Sequence, residues 1–241
     1  MKMRIVHLYP SLLNLYGDRG NILALKRRLE WRGIKTEVVA VERNEDLNFA
    51  SADIIFLGGG SDREQLIVCE RLRDIKDGWR RYVECGGVAV AVCGGYQLLG
   101  QYYKMGDRTI EGVGVVDIFT ETGEGRIIGN MVIKSDFLDK PIVGFENHGG
   151  RTHIGKYTPL GKVLCGGGNN GSDGGEGIIY KNVFGTYMHG PVFPKNPHFC
   201  DYVLQRAIER KDEELILAPL NDSVEMAANE YIVERFTKTI A

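Results

Sequence analysis

The 241-residue chain lacks the marks of several protein classes. No stretch approaches the roughly 20 consecutive apolar residues that a membrane-spanning helix requires, and the apolar run after residue 4 is too short for a signal peptide. Five cysteines form no Cys-x-x-Cys pair, which argues against a zinc ribbon, and their odd number argues against a disulfide framework. Lys and Arg total 30 against 32 Asp and Glu, which gives no surplus of positive charge for nucleic acid. These absences predict a soluble, cytoplasmic protein without membrane insertion, nucleic acid or a metal site.

What the sequence does contain is an alternation of apolar runs and helical periodicity over its first hundred residues. The alternation predicts an α/β fold with a mostly parallel central sheet flanked by helices. Near-continuous Val, Ile and Ala runs are typical of strands covered on both faces. The predicted strands are 4–9, 36–41, 53–57 and 88–92, and the predicted helices are 21–32, 62–75 (capped by Asp62) and one that begins at Gly94.

The pattern changes after Gly112, where short strands follow one another with few helices between them. A segment with seven glycines in twelve residues, 166–177, predicts a mobile loop. Two helices, at about 197–210 and 223–237, close the chain, and no linker is long enough to require a second domain. The strands predicted in this half are 113–119, 127–133, 142–145, 178–180 and 183–187.

The most informative segment is 88–99, where a β-rich run ends abruptly at Cys93, followed by Gly94, Gly95 and a helix. This is the pattern of a nucleophile elbow, in which a tight strand-to-helix turn lifts the side chain clear of the sheet. A helix dipole or a neighbouring imidazole can lower a thiol pKa from its usual ~8.5, and the N–H groups of a helix N-terminus can stabilise an oxyanion. The alternative is a buried cysteine beside a turn used only for packing. The remaining cysteines lack an elbow and are interpreted as buried: Cys69, Cys85, Cys165 and Cys200.

A thiol nucleophile needs an imidazole, which need not be near it in sequence. His189 ends a predicted strand and is followed at once by Gly190 and Pro191, so it is well placed to reach a neighbouring elbow. His148 also follows a strand and is its main competitor. The residues alone leave both histidines open as the base. The other three are interpreted as a core residue, His7, and as solvated residues, His153 and His198.

Taken together, these features resemble the class I, triad-type glutamine amidotransferases, and the segment 187–191 resembles their cobyric-acid-synthase-like branch. A closer resemblance is to the glutaminase subunits of lipid II isoglutaminyl synthases. It implies a single domain, 1–241, with an amidotransferase core at 3–195 and a C-terminal helical extension at 196–241. Five segments carry this resemblance: LYGDRGNI (15–22), GGGSDREQ (58–65), CGGYQ (93–97), GFENHGGRT (144–152) and GTYMHGP (185–191).

The resemblance implies a chemistry for these residues. Cys93 would attack the side-chain amide of glutamine to give a γ-glutamyl thioester and ammonia, while His189 would take the thiol proton and later activate water. Backbone N–H groups near Gly60 and Gly94 would form the oxyanion hole.

Two further side chains are implied to contact the substrate. Arg126 matches the glutamine-binding arginine, for which a bidentate contact with a carboxylate is the physical reason. The alternative for Arg126 is a solvated side chain at the start of a strand. Gln97 would help to line the pocket.

One departure from the wider class concerns the third catalytic residue. Most members have an acidic residue two positions after the histidine, where this sequence has Pro191. The closer resemblance implies a heterodimer, in which a Mur-ligase-like partner supplies the acid. That partner would activate the D-glutamate carboxyl of the peptidoglycan stem with ATP and Mg²⁺ and use the ammonia, so no cofactor is expected in this chain. The isolated chain is then expected to be a weak glutaminase that the partner stimulates.

Other functions remain as alternatives. The chain could serve another acceptor, as in cobyric acid synthesis, or be a non-catalytic scaffold subunit. Residues 150–157 nearly spell a nucleotide-binding P-loop, but they lack the Ser or Thr that ligates Mg²⁺, and Pro159 follows where a helix should begin.

Overall fold

Two β-sheets organise the chain in a computed structural model that describes residues 1–237, with Tyr16 described by its backbone alone. The last four residues of the predicted extension, 238–241, lie outside the described residues. The strands are β1 (Lys2–Leu8), β2 (Lys35–Val41), β3 (Ile54–Leu57), β4 (Val88–Val92), β5 (Tyr102–Met105), β6 (Arg108–Glu111), β7 (Phe119–Lys134), β8 (Ile142–His153), β9 (Gly161–Cys165), β10 (Gly175–Glu176), β11 (Ile178–Tyr180), β12 (Val183–Thr186) and β13 (Met188–His189). The helices are α1 (Arg19–Glu30), α2 (Asp62–Asp74), α3 (Lys76–Glu84), α4 (Gly94–Leu99), α5 (Val192–Lys195), α6 (Pro197–Glu209) and α7 (Ser223–Thr237).

The first sheet has the strand order β11-β12-β4-β3-β1-β2, and all its pairings are parallel except that of β11 with β12. This confirms the predicted α/β class. Every residue of β3 and β4 is buried, as expected for strands covered by helices on both faces. Parallel strands end at the same edge, so the segments after β3, β4 and β12 lie together there.

The second sheet was not predicted as a unit. Its order is β10-β9-β7-β5-β6, with β8 paired to β7 and β13 paired to β8, and most of its pairings are antiparallel. The predicted strands 127–133 and 142–145 are parts of the long hairpin formed by β7 and β8. The hairpin of β5 and β6 was missed.

The prediction of a strand at 113–119 was wrong over most of its length, because N–H groups of this segment bond to α4 and not to a neighbouring strand. The N–H groups of Val113 and Val115 donate to the carbonyls of Leu98 and Leu99 at the end of α4. Val113 and Val116 are therefore buried beneath that helix as an irregular segment.

One local prediction needed correction: Ser61, and not Asp62, caps α2, through a capping box with Glu64. The start of the glycine-rich segment 166–177 is held to the sheet, because the carboxylate of Glu146 accepts hydrogen bonds from Gly167 and Gly168 at 2.6 and 3.1 Å. Residues 171–174 are exposed, and the predicted mobility of the segment stays a prediction.

The C-terminal helices pack on the same core. Phe199, Val203 and Leu204 of α6 are fully buried. Arg28 of α1 binds Asp201 of α6 and Asp222 just before α7, in both cases at 2.6 Å. No helix within residues 1–237 combines the length and the apolar character needed to cross a membrane.

Candidate active site

Cys93 occupies a strained turn between β4 and α4. Its backbone has φ 48° and ψ −108°, a region that residues with a side chain rarely adopt. Such strain persists only when the surroundings impose it, and here the Cys93 N–H donates to the Thr186 carbonyl at 2.8 Å. A Cβ on Gly95 would lie 2.6 Å from the carbonyl oxygen of Leu57, so the turn requires glycine there. The predicted elbow is therefore present in the structure.

Gly59 lies between the predicted nucleophile and the predicted base. A Cβ on Gly59 would be 3.3 Å from Cys93 Cβ and 3.6 Å from His189 Cε1. His189 reaches this position because the chain leaves the first sheet after β12 and pairs with β8 as β13, opposite Phe145. The structure thus brings Cys93 and His189 to the same edge, around one glycine.

His148 is held in a different way. Its Nδ1 lies 2.8 Å from the carbonyl oxygen of Gly150, and its Nε2 lies 3.4 Å from a carboxylate oxygen of Glu146. Its ring stacks on Tyr187, with centroids 3.7 Å apart and an interplanar angle of 8°. Both ring nitrogens of His148 are therefore engaged within the protein, which makes His148 a weaker candidate for the base.

A cavity of about 360 Å³ opens beside Cys93. Its volume falls in the range of roughly 300–1,000 Å³ typical of small-molecule sites. Three more of the sequence-predicted residues, Gly60, Gln97 and Arg126, line it together with His148. Gly94 opens α4, and a Cβ there would lie 2.8 Å from Gln65 Nε2. The remaining lining residues are Leu15, Ser61, Asp62, Gln65, Tyr103, Asn147 and Gly149.

Arg126 lies within a long strand and not at the start of one. It belongs to β7, at a shift of the β7–β8 register between Thr122 and Ile127. Such irregularities re-aim side chains near functional sites. Its guanidinium donates to the side-chain and main-chain oxygens of Asn147, both at 2.9 Å. The fixed guanidinium supplies the cavity with a positive charge.

Two glutamine side chains that line the cavity each carry an unpaired acceptor. Gln65 donates through Nε2 to the Gly60 carbonyl at 3.3 Å, and Gln97 donates to the Tyr187 hydroxyl at 3.1 Å. The Oε1 atom of each is buried and has no hydrogen-bond partner among the described residues. Buried acceptors are normally paired, so these two atoms are suited to donors on a bound molecule.

Burial shifts the pKa values of both His189 and Cys93. It is the main cause that lowers the pKa of His189 to about 4, and the nearby His148 and Arg126 add to that effect. Burial also raises the pKa of the Cys93 thiol to about 12, against a smaller opposing effect of the Gly94 N–H. Near pH 7 the pair is therefore a neutral thiol beside a neutral imidazole.

Sequence reasoning missed Gly59, Gln65 and Asn147 as site residues. Gly59 and Gln65 lie within segment 58–65, and Asn147 lies within segment 144–152. Both segments were identified from the sequence, but these three residues were not predicted to lie at the site. Gln65 lies in the first turn of α2, and helical periodicity does not distinguish a buried amide that lines a cavity from one that faces the core.

The fold and the geometry of the site indicate the class of protein to which this chain belongs. A cysteine on an elbow at the carboxyl edge of a parallel sheet, beside an imidazole and a small polar cavity, is typical of thiol-dependent amide hydrolases. A solved glutamine amidotransferase has a similar fold, with a TM-score of 0.56 and 19% identity over 84% of this chain and 98% of that one.

Residues 4–197 match the model of the CobB/CobQ-like glutamine amidotransferase domain, and the chain belongs to this family. It is 43% identical over 235 residues to the GatD subunit of the glutamine-hydrolysing lipid II isoglutaminyl synthase of Staphylococcus aureus (97% of this chain, 96% of that protein). The same subunit of Streptococcus pneumoniae is 40% identical over 226 residues (92% and 87%). These matches confirm the sequence-based prediction of a glutamine amidotransferase.

Proposed function

We propose that this chain is the glutamine-hydrolysing subunit of a two-subunit synthase that amidates the D-glutamate of lipid II to D-isoglutamine. The observation that carries the proposal is Cys93 on a strained elbow that opens into a polar cavity beside His189. The relatives at 43% and 40% identity, which span nearly the whole chain, support lipid II as the acceptor.

The cavity has the polar groups that a glutamine zwitterion needs. The guanidinium of Arg126 is positioned to bind the α-carboxylate, since paired N–H donors match a carboxylate. The unpaired Oε1 atoms of Gln65 and Gln97 can accept from the α-ammonium and from the side-chain amide. Binding would satisfy these two buried acceptors, which gives a physical reason for selecting glutamine over glutamate at the amide end.

Hydrolysis then proceeds in two halves. In the first, Cys93 Sγ attacks the amide carbon, its proton passes to His189, and the imidazolium returns that proton to the departing nitrogen as ammonia leaves. In the second, His189 deprotonates a water that attacks the thioester, the C–S bond breaks, and glutamate leaves as the sulfur regains its proton. In both halves the N–H groups of Gly60 and Gly94 stabilise the negative oxygen of the tetrahedral intermediate.

The protonation states support an acid supplied by the partner. Proton transfer from a thiol of raised pKa to an imidazole of lowered pKa is unfavourable, and a carboxylate beside the imidazolium would favour it. The position that carries the acid in most of the class is Pro191, whose ring packs against Gly20. A Mur-ligase-like partner would bring the acid to His189, bind ATP and Mg²⁺, and consume the ammonia.

Ammonia release tests this proposal. The purified chain is assayed alone and with its Mur-ligase-like partner, lipid II and ATP, alongside the Cys93→Ser variant. We expect weak hydrolysis by the chain alone, strong stimulation in the complex, and loss of turnover in Cys93→Ser. An isolated chain as active as the pair would contradict the supplied acid, and amidation of a cobyric-acid precursor in place of lipid II would contradict the acceptor.

A further inference from the structure

The segment that precedes α1 holds Gly59 through both of its backbone polar groups. The Leu15 N–H donates to the Gly59 carbonyl at 2.9 Å. The Gly59 N–H donates to the Asp18 carboxylate at 2.7 Å. Asp18 is only 1% exposed, so this contact lies inside the protein. The orientation of the peptide units around Gly59 therefore depends on Asp18 and Leu15.

The glycine run 58–60 fits closely against this segment. A Cβ on Gly58 would lie 2.7 Å from Asp18 Oδ2 and 2.3 Å from the Leu13 carbonyl oxygen. The Gly58 carbonyl also accepts from the N–H of Gly95, at 3.1 Å, in the turn that carries Cys93. Residues 58–60 are thus held between the segment that precedes α1, which contains Asp18, and the turn that carries Cys93.

We propose that Asp18 is a positioning residue for glutamine hydrolysis, which accepts the Gly59 N–H and thereby holds the 58–60 run where the Gly60 N–H can stabilise the oxyanion. This inference rests on the proposed roles of Cys93 and Gly60. It gives a function to the segment 15–22, which contributes Leu15 to the cavity but no group that reacts.

The charge of Asp18 argues for a positioning role and against a role in activating the Cys93 thiol. The negative charge of Asp18 raises the pKa of Cys93 and so opposes formation of the thiolate. Burial raises the pKa of Asp18 itself to about 7, so keeping a carboxyl group here has a cost near neutral pH. What Asp18 contributes to the reaction is therefore its hydrogen bond to Gly59.

Three substitutions separate the hydrogen bond from the charge and the volume. Asp18→Asn keeps an acceptor oxygen, Asp18→Ala removes it, and Asp18→Leu removes it while filling the space. Asp53→Ala is the control for loss of a buried carboxylate away from the site. Asp53 accepts a backbone N–H, from Arg4 at 2.6 Å, and pairs with Lys211 at 2.8 Å, at the opposite end of β3.

The variants are assayed as full chains in complex with the partner. We expect Asp18→Ala and Asp18→Leu to lower kcat by about tenfold or more with KM within about threefold, since loss of one oxyanion donor costs on the order of 10²–10³ in kcat. Asp18→Asn and Asp53→Ala should stay within about threefold of the wild type. Alkylation of Cys93 by iodoacetamide, which needs no oxyanion hole, should be unchanged or faster in all Asp18 variants.

Several results would overturn the inference. They are an unchanged kcat in Asp18→Ala or Asp18→Leu, an equal loss in Asp18→Asn, an equal loss in Asp53→Ala, or a parallel fall in alkylation. If Asp18→Ala does not fold, the comparison of Asp18→Leu with Asp18→Asn decides. Full turnover by Cys93→Ser would instead overturn the proposed function, and this result is distinct from any result of the Asp18 series.

Discussion

The two sheets contribute differently to the site. The parallel sheet supplies the proposed nucleophile, Cys93, and the proposed backbone donors, through the turns after β3 and β4. The antiparallel sheet supplies Arg126 and Asn147, from the hairpin of β7 and β8. His189 stands where the chain crosses from one sheet to the other. The comparison indicates that the first sheet carries the chemistry and the second carries recognition, so variants on the two should affect different kinetic constants.

The largest effect is expected for His189, which lies where the chain passes from the first sheet to the second. His189→Ala should lower kcat by about 10²–10⁴, the range of a lost general base, with little change in KM. His148→Ala is the matched variant, and we expect its kcat to fall by less than about tenfold, because His148 has both ring nitrogens engaged within the second sheet. Steady-state kinetics of ammonia release measure both. A larger loss in His148→Ala would reverse the assignment of the base.

On the recognition side, Arg126→Ala should raise KM by about 10–100-fold, because hydrogen bonds to a charged group contribute roughly 1.5–3 kcal/mol. Its kcat should change by less than about threefold if Arg126 binds ground state and transition state equally. Arg126→Lys should recover only part of the affinity, since an ammonium cannot make the paired contact. If Arg126→Ala lowered kcat and left KM unchanged, the division between the two sheets would be wrong.

A smaller effect is expected for Gln65, which we propose contacts glutamine although it lies on α2, beside the parallel sheet. Gln65→Leu removes the unpaired Oε1 and should raise KM by about two- to tenfold, the effect of one neutral hydrogen bond to the amide end of glutamine. Glutamine affinity measured with the Cys93→Ser protein gives the same contrast without turnover. Unchanged affinity would show that Gln65 does not contact the substrate.

The last prediction concerns stability, and not kinetics, where the sheets meet. Glu176 is fully buried and accepts from Thr186 and Tyr187, and burial raises its pKa from 4.5 to about 8. A raised pKa favours the folded state at low pH, so this contribution is complete below about pH 4.5 and is lost as the pH rises through 8. Glu176→Gln should therefore gain stability over the wild type between pH 5 and 8.5, by at most about 1.4 kcal/mol per pH unit. Urea unfolding at both pH values measures this, and a gap that does not widen would contradict it.

The difference between the two sheets also explains how much of the fold could be predicted from the sequence. The strand 88–92 was predicted with the bounds that the structure has, because buried parallel strands are continuous apolar runs bounded by turns. Cys93 followed from it. The second sheet was harder, because exposed and buried residues are mixed along β7 and the strands of the β5–β6 hairpin have only four residues each.

Other features could not be predicted from sequence patterns. A high glycine content indicates that a backbone is conformationally free, but it does not show which side chain will bind that backbone. The hydrogen bonds from Gly167 and Gly168 to Glu146 could therefore not be anticipated. The same holds for the contact of Asp18 with Gly59, which joins residues 41 positions apart. The roles of Cys93, His189, Arg126, Gly60, Gly94 and Gln97 stay predictions, although the structure gathers them at one edge.

Covalent labelling shows whether Cys93 is the nucleophile. The chain is incubated with 6-diazo-5-oxo-norleucine, an electrophilic mimic of glutamine, and the modified residue is mapped by mass spectrometry. We expect one adduct, on the peptide that contains Cys93, with protection by glutamine and no adduct in Cys93→Ser. An unmodified Cys93, or an adduct that persists in Cys93→Ser, would contradict this assignment.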